Sequence, residues 1–269
     1  MLLQSILGKR DLLIPYFNFN KVEIGDNASA LLPAIYSLRF DVYCHECKFL
    51  NSGDYQNHLE VDEYDDCSTH IAAYNLEDTI IGTVRLVQPP QEQAYPFESH
   101  CKVFDGFEYP ERQRSAEISR LVVRKTYRRR RGDSMEGISK DFVEKGEASS
   151  IKPVTDTHRR STNSPLLLLG MYRELYRHSK QNNIRFWYAA MERSLAKSLE
   201  KMGFKFIPIG PETDYYGKVT PYVVDLQELN IRLRNENKFL AAWFNDEPIP
   251  IWVMVKTLVA SHMTARSRH

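Results

Sequence analysis

Residues 116–133, AEISRLVVRKTYRRRRGD, place a carboxylate and an apolar strand directly before four consecutive arginines and a glycine. Burying a carboxylate in an apolar strand is costly unless the group is paired or takes part in chemistry. Glu117 is therefore either a functional group or one half of a buried ion pair with Arg85 or Arg39. The arginine run, in contrast, is suited to an anionic partner.

The strand pattern decides which of these groups can meet. Alternation in a regular strand gives two faces, with Glu117, Ser119, Leu121 and Val123 on one and Ile118, Arg120 and Val122 on the other. Glu117 and Arg120 then point apart, unless a β-bulge reorients one of them.

Composition limits the classes of function. The chain has 269 residues and a formal net charge of +1, which suffices for one large domain or two small ones. A near-zero net charge argues against general adhesion to nucleic acid or to a membrane surface. The N-terminal sequence lacks a signal-peptide pattern, and no apolar run approaches the roughly 20 residues of a membrane span. We expect a cytoplasmic protein without a membrane span.

The cysteines do not indicate a metal site. Cys44, Cys47, Cys67 and Cys101 occur in a chain long enough to fold without disulfides, so we expect reduced thiols. Cys44 and Cys47 have the spacing of one half of a zinc site, with histidines nearby in sequence. A second such pair is missing, and both cysteines fall in a predicted helix, so we expect no bound metal.

Hydrophobic periodicity predicts helices and strands in alternation. The predicted helices are 31–49, 164–182 and 192–203, and the predicted strands are a hairpin within 69–88, then 116–123, 184–191, 204–210 and 220–226. The tail from residue 226 onward is expected to be helical. Residues 133–163 lose all periodicity, and we expect a mobile insertion there. This order is typical of an α/β protein with helices on the faces of a mixed sheet.

Six motifs together resemble a known family. In chain order they are SLRFDVY, LEVDEYDD, IIGTVRLV, EISRLVV, MERSLAKSLEKMGF and IGPETDYYGKVTPYVVDL. The set is similar to the acyl-homoserine-lactone (autoinducer) synthases and the long-chain N-acyl amino acid synthases. It is most similar to the acyltransferases found with exosortase and PEP-CTERM protein-sorting systems.

The resemblance covers roughly residues 31–230 and implies the fold of the GCN5-related N-acetyltransferases (GNAT), α/β (α+β) in class. We expect a lead segment at 1–30, a single GNAT-like acyltransferase domain at 31–230 with the insertion at 133–163, and a C-terminal helical extension at 231–269. The resemblance also implies an enzyme, an N-acyltransferase that moves an acyl group from a thioester to an amine.

Roles for individual residues follow from the resemblance. It implies Glu117 and Arg120 as the catalytic pair, with Glu117 as the base that deprotonates the amine, directly or through a water. The residues it places around the amine substrate are Arg39, Tyr43, Phe49, Glu60, Asp62, Asp65 and Arg85. Asp62 and Asp65 either bind the acceptor's ammonium group, lie in a solvated loop, or form salt bridges that orient arginines; we favour the salt bridges.

The acyl donor is expected at the end of the strand and in the basic loop. The residues concerned are Leu121, Val122, Val123, Arg128, Arg129, Arg130, Arg131 and Gly132. A backbone N–H group around 121–123 is expected to stabilise the thioester oxyanion. GNAT proteins bind the pyrophosphate of coenzyme A with an Arg/Gln-x-x-Gly-x-Gly/Ala loop, which fits only in part here because Ser134 occupies the last position. An acidic acyl carrier protein suits the basic run and Lys125 better, and a solvated basic loop is the alternative.

No general acid is assigned. Many acetyltransferases place a tyrosine where this chain has Leu199, and the remaining candidates are Tyr188, Tyr215 and Tyr216. We expect no tightly bound cofactor. The leading hypothesis is transfer of a fatty acyl chain from acyl carrier protein or acyl-CoA to a small amino acid-like amine. The alternatives are a coenzyme A-dependent acetyltransferase of the same fold and a catalytically silent acyl-binding module, and nucleic-acid binding comes last.

Overall fold

The computed structural model describes residues 17–248, apart from residues 26, 56, 129–163, 202 and 216. The strands are β1 Asn18–Glu23, β2 Ser68–Tyr74, β3 Ile80–Val87, β4 Ser115–Val123, β5 Phe186–Met191, β6 Ile207–Pro208, β7 Thr213–Asp214 and β8 Lys218–Asp225. The α-helices are α1 Leu32–Phe40, α2 Ser164–Gln181, α3 Arg193–Lys201, α4 Leu226–Glu236 and α5 Lys238–Asn245. The predicted insertion lies outside the described residues.

A mixed β-sheet runs through the described part of the chain in the order β1-β2-β3-β4-β5-β8-β6. The first four strands are antiparallel neighbours, whereas β4 and β5 run parallel. β8 is antiparallel to both β5 and β6, and β7 forms a short hairpin with the start of β8. The predicted mixed α/β class is confirmed.

Helices pack on both faces of the sheet. α1 covers β3 and β4 on one face, where Ile35, Leu38 and Val122 belong to one apolar cluster. α2 packs on β1, β2 and β3 on the opposite face. Residues of α3, α4 and α5 join it there in the larger core, which surrounds Trp187 and Phe204.

The sheet begins earlier than expected. β1 lies within the predicted lead segment 1–30, yet it pairs with β2 along its whole length. Its sequence, NFNKVE, leaves most side chains at least partly exposed and buries only Val22, so it lacks the apolar alternation that marks a strand. Residues 18–23 therefore belong to the domain. α4 likewise crosses the predicted boundary at residue 230.

The predicted helix at 31–49 was wrong beyond Phe40. α1 ends there, and a π-helix continues over Asp41–Glu46. The carbonyl of Val42 accepts a hydrogen bond from the N–H of Cys47 at 2.8 Å, one residue further along than in an α-helix. The spacing of apolar residues is compatible with both α-helical and π-helical turns, so the sequence does not show where one replaces the other. Short π-helical turns are frequent at functional sites, where they change the direction of a side chain.

β4 contains a bulge at Arg120 and Leu121, which together lie opposite Val84. The register on either side pairs Thr83 with Val122 and Arg85 with Ser119. Arg120 has a φ of 51°, in the left-handed region that side-chain-bearing residues seldom adopt. The extra residue exchanges the faces, so Val122 packs under α1 and Leu121 packs in the larger core. The bulge that the sequence left open is therefore present, and it moves Leu121 and Val123 off the face that carries Glu117 and Ser119.

β4 and β5 separate soon after they meet. Their pairing is limited to Ser115–Glu117 with Phe186–Tyr188. β4 continues to Val123 and β5 to Met191 without pairing to each other in the described structure. The two strands therefore leave a wedge-shaped gap in the middle of the sheet.

A close approach at Gly210 fixes the loop between β3 and β4. A Cβ atom at this position would lie 1.9 Å from the carbonyl oxygen of Lys102. Beside it, the N–H of Phe104 donates to the carbonyl of Ile209 at 2.8 Å. Only glycine allows these two backbones to meet, and the contact anchors the loop that carries Phe97 towards β4.

We expect Gly210→Ala to lower the free energy of unfolding by about 1–3 kcal/mol, the usual effect of overpacking. Gly53→Ala is the matched control, because its new Cβ would have its nearest neighbour at 3.5 Å. Urea denaturation measures both variants. Equal losses in the two would contradict the close approach at Gly210.

Candidate active site

Six charged side chains form a closed ring of ion pairs beside the β4 bulge. In order around the ring they are Arg39, Glu60, Arg120, Asp62, Arg85 and Asp65. Each guanidinium group contacts two carboxylates, and each carboxylate contacts two guanidinium groups. We call this set the ion-pair ring.

Two of its arginines are buried and connect α1 and β3 to the acidic loop. Arg39, in the last turn of α1, donates through Nε to Glu60 and through Nη1 to Asp65 at 2.6 Å. Arg85 on β3 donates through Nη1 to Asp62 and, at 2.8 Å, to Asp65. The backbone N–H of Glu60 donates a hydrogen bond to the carbonyl of Tyr36 in α1, which fixes the position of Glu60. Helix, loop and strand are thereby joined by charge-assisted hydrogen bonds.

Arg120 closes the ring from the bulge. Its Nε donates to Glu60 at 3.1 Å and its Nη2 to Asp62 at 2.8 Å. Among the described residues, nothing accepts a hydrogen bond from its Nη1. The side chain is 18% exposed, whereas those of Arg39 and Arg85 are buried. Arg120 is thus the member of the ring that faces outward.

The arginines keep Asp62 and Asp65 ionised although both are largely shielded from water. Burial raises the pKa of Asp65, but the adjacent Arg39 and Arg85 outweigh it and hold that pKa well below its usual range. Burial likewise opposes the charge of Asp62, and Arg85 again reverses the effect and lowers the pKa. His70 lies behind the ring, where burial lowers its pKa to about 4. This histidine is therefore neutral at pH 7 and adds no further positive charge.

Glu117 lies outside the ring. Its side chain is buried, and its Oε2 accepts a hydrogen bond from the backbone N–H of Phe97 at 2.9 Å. Among the described residues it forms no ion pair, so the alternative of a salt bridge to Arg85 or Arg39 is excluded there. Burial raises the pKa of Glu117 to about 8, although the Phe97 N–H and the charges of Arg85 and Arg120 oppose the rise.

A cleft of about 320 Å³ occupies the gap between β4 and β5. Polar and aromatic residues form one part of its wall, namely Tyr43, Phe49, Glu117, Ser119, Arg120 and Tyr215. Apolar and aromatic residues form the other, namely Ile118, Leu121, Tyr172, Ala189, Met191 and Leu195. The guanidinium carbon of Arg120 lies 5.5 Å from the centre of the Tyr43 ring. The bulge and the π-helix therefore contribute neighbouring groups to one wall.

The residues predicted around the amine divide into two groups. Tyr43 and Phe49 line the cleft, as do the predicted catalytic pair Glu117 and Arg120. The other charged residues are engaged with one another and do not form its wall, namely the buried Arg39, Glu60, Asp65 and Arg85 and the partly exposed Asp62. This geometry fits the salt-bridge interpretation of the acidic loop rather than direct binding of an ammonium group.

The predicted donor residues are only partly described. Leu121 lines the cleft, whereas the side chains of Val122 and Val123 pack in the two cores. Arg128 donates through Nη2 to Glu46 of the π-helix, so this arginine is already paired. Arg129, Arg130, Arg131 and Gly132 lie outside the described residues.

The candidate acids differ in position. Tyr188 is buried, outside the cleft wall, and its hydroxyl is near Ser115. Tyr215 lines the cleft and stacks on His100 with ring centres 3.9 Å apart. Tyr216 lies outside the described residues.

Two contributors to the site carried no usable sequence signal. Phe97 acts through its backbone N–H, which any residue other than proline supplies. Ser119 accepts a hydrogen bond from Nε of Arg85 at 3.0 Å, whereas the strand pattern assigns this serine only to a face of β4. Both become visible only when the loop and the strand are placed together.

Residues 38–136 match a sequence model described as an acetyltransferase (GNAT) domain. The match covers less than half of the chain, and over these residues the chain is similar to GNAT acetyltransferases. No curated protein matches the chain at the level of sequence.

Solved structures share its fold. BjaI, a CoA-dependent acyl-homoserine lactone synthase solved with SAM and isopentyl-CoA, is 16% identical, with a TM-score of 0.56 over 90% of this chain and 99% of BjaI. The AHL synthase LasI is 18% identical, with a TM-score of 0.51 over 78% of this chain and 89% of LasI. TofI, in a ternary complex with an inhibitor and MTA, is 14% identical, with a TM-score of 0.53 over 78% of this chain and 91% of TofI.

The predicted GNAT-like fold and the N-acyltransferase class are confirmed by the domain match and the shared fold. The acyl donor, the acceptor, the site roles and the association with PEP-CTERM systems stay predictions. Within the described residues, no helix has both the length and the apolar character needed to cross a membrane.

We expect Arg39→Met to lower the free energy of unfolding by about 3–5 kcal/mol, because it removes one of the two guanidinium partners from each of two buried carboxylates, Glu60 and Asp65. The matched control is Arg234→Met, whose pair with Glu247 is exposed and should contribute less than about 1 kcal/mol. Urea denaturation measures both. Similar effects of the two substitutions would contradict the ion-pair ring as a stabilising unit.

Glu117 should make stability depend on pH in a defined direction. Its pKa rises from 4.5 to about 8 on folding, so between these values the unfolded chain releases the proton first and stability falls as pH rises. Glu117→Gln removes this titration. Thermal unfolding at about pH 5 and at about pH 8 should therefore show the variant gaining stability relative to the unmutated protein at the higher pH. A difference that does not change with pH would contradict the raised pKa.

Proposed function

We propose that this chain transfers a fatty acyl group from the thioester of an acyl carrier protein, or of coenzyme A, to the amine of a small amino acid-like acceptor. The observation that carries the proposal is Glu117, a buried carboxyl group with a pKa of about 8 in the wall of the cleft between β4 and β5. Amine attack on a thioester needs a base whose pKa lies near the working pH.

Proton balance lets Glu117 act first as the base and then as the proton donor. Its carboxylate takes the proton that the attacking nitrogen loses as the C–N bond forms, and the C–S bond then breaks to release a thiolate. A thiolate whose conjugate thiol has a pKa of about 8.5 can take this proton from Glu117. The products are an amide and a thiol, and no separate acid is required. The buried Leu199, at the position where many acetyltransferases have a tyrosine, is compatible with this scheme.

Arg120 is suited to hold a carboxylate of the acceptor. Its Nη1 has no acceptor among the described residues, and its side chain reaches the cleft. The ring fixes the other side of the guanidinium group, so its direction is set before a ligand binds. A carboxylate on Nη1 would bring a neighbouring amine to the part of the wall that contains Glu117. This supports an acceptor that carries an amine and a carboxylate.

The apolar part of the wall supports a fatty acyl donor. Leu121, Tyr172 and Leu195 lie on the side of the sheet that holds the larger core, where an acyl chain would be removed from water. BjaI is described as CoA-dependent and was solved with isopentyl-CoA, which supports coenzyme A thioesters as the alternative donor. A cytoplasmic location and a role beside exosortase systems complete the proposal, and they rest on the sequence and its six motifs alone.

Purified protein should release thiol from acyl carrier protein thioesters when amino acids are supplied, and mass spectrometry should detect the matching N-acyl amino acids. Glu117→Gln should reduce the rate by about 10²–10⁴-fold, the usual contribution of a positioned base. Glu111→Gln, at an exposed carboxylate on the same segment, is the control and should keep the rate.

Two results would contradict the proposal. Absence of thiol release with every acyl carrier protein and coenzyme A thioester would indicate a silent acyl-binding module instead. Acetyl-CoA as the preferred donor would indicate the acetyltransferase alternative.

The pH dependence of the rate tests the base separately. Because the free enzyme holds Glu117 with a pKa of about 8, kcat/KM should rise with pH and level off above that value. Glu117→Gln should abolish this step while leaving any effect of the acceptor amine's own titration. An unchanged profile in the variant would exclude Glu117 as the base.

A further inference from the structure

Tyr215 lies in the turn between β7 and β8, on the wall of the cleft. The turn is tight, because the N–H of Tyr215 donates to the carbonyl of Gly217 at 2.8 Å and Gly217 has a φ of 108°, a region that favours glycine. The side chain packs against the aromatic cluster that contains Phe97 and Tyr188. The turn and this packing together fix where the tyrosine lies.

The ring of Tyr215 stacks on the ring of His100. The ring centres are 3.9 Å apart and the planes are inclined by 12°. Partial burial and the charge of Arg120 lower the pKa of His100, so the imidazole is neutral at pH 7. The loop of His100 also contains Phe97, whose N–H donates to Glu117. The stack therefore joins the β7–β8 turn to the loop that holds the proposed base.

Tyr215 and Arg120 reach the cleft from different strands of the sheet. Arg120 lies on β4 and Tyr215 precedes β8, with β5 between these two strands. Burial opposes the charge of Arg120, but its neighbours outweigh this effect and raise its pKa, namely Glu60, Tyr43, Asp62 and Tyr215. Tyr215 is thus within electrostatic reach of the guanidinium group. A phenol and a guanidinium group both donate hydrogen bonds to carboxylates.

We propose that Tyr215 is a further acceptor-binding residue, whose hydroxyl donates to one oxygen of the acceptor's carboxylate while Nη1 of Arg120 donates to the other. His100 is a positioning residue that holds the tyrosine ring through the stack. This inference rests on the proposed function and assigns Tyr215 to binding rather than to proton donation. Two donors from different strands fix the orientation of a carboxylate, and the neighbouring amine is oriented with it. The site then prefers amino acids over amines without a carboxylate.

Binding of product-like ligands tests the proposal without turnover. N-dodecanoyl-leucine and N-isopentyl dodecanamide differ only in the carboxylate, and isothermal titration calorimetry measures the affinity of each. Tyr215→Phe removes only a hydroxyl group, so it should weaken binding of the first ligand about tenfold and leave binding of the second unchanged. Absence of binding of the first ligand, equal affinities of the unmutated protein for the two, or equal effects of the substitution on both would overturn the proposal.

Steady-state kinetics give a second readout, with the amino acid that the enzyme acylates fastest as acceptor. Tyr215→Phe should raise its KM about tenfold with little change in kcat, because the carboxylate contact is the same in the ground state and in the transition state. A fall in kcat at constant KM would identify Tyr215 as a proton donor and overturn the proposal. If no amine is acylated while binding still depends on Tyr215 and the carboxylate, the proposed function fails and the binding role stands.

The positioning role of His100 is tested through its partner. His100→Ala removes the stacked ring and should weaken binding of N-dodecanoyl-leucine, whereas His100→Phe keeps an aromatic ring and should retain most of the affinity. In the Tyr215→Phe background, His100→Ala should add little, because the hydroxyl that the stack positions is already absent. Additive effects of the two substitutions would contradict positioning through Tyr215.

Tyr109→Phe is the matched control. It removes the hydroxyl of an exposed tyrosine that does not belong to the described wall of the cleft, so binding of N-dodecanoyl-leucine should be unchanged. Thermal unfolding should show that Tyr215→Phe is folded, since the variant keeps the ring in the stack. An equal loss of affinity in the two variants would indicate a general effect of removing a hydroxyl and would overturn the proposal.

Discussion

The ion-pair ring is the constraint on which the rest of the site depends. It joins the end of α1, the acidic loop, β3 and the β4 bulge through three guanidinium groups and three carboxylates. A buried charge without its partner costs several kcal/mol, so no member is stable in this environment unless the others are in place. The ring also offsets the strain of the left-handed backbone at Arg120, which persists only where surrounding contacts determine it.

The same closure accounts for the state of Glu117. Because the carboxylates of the ring already take up the charge of its arginines, little of that charge stabilises an ionised Glu117, and burial dominates its pKa. Glu117 is therefore positioned by a backbone N–H of Phe97 and by the separation of β4 from β5, rather than by an ion pair. Once ionised, a carboxyl group whose pKa lies near neutral pH can accept a proton from an amine and return it to a thiolate. The ring thus stabilises the fold, and because its charges are paired with one another, burial can raise the pKa of Glu117.

Much of this arrangement was predictable, and the remainder has physical reasons for escaping prediction. Apolar periodicity placed β2 to β6, β8 and the helices α2 and α3 between them, and the six motifs contain every charged residue of the ring. β1 was not predicted, because an edge strand with one buried side chain lacks the alternation of apolar and polar residues that marks a strand. The position of the bulge at Arg120 was not predicted, because one inserted residue leaves the apolar character of the strand intact and changes only its register with β3. The choice of partners in the ring depends on the path of the acidic loop, which no spacing in the sequence encodes.

The central claim is that Glu117 is held as a neutral carboxyl group because the ring satisfies its own charges. The most direct test is ¹³C NMR of protein labelled at the glutamate side-chain carboxyl carbons, with the Glu117 signal assigned by its loss in Glu117→Gln. A titration of that signal with a midpoint at about pH 8 is the expected result. A midpoint near the ordinary glutamate value of 4.5 would contradict the claim and remove the basis for Glu117 as the base.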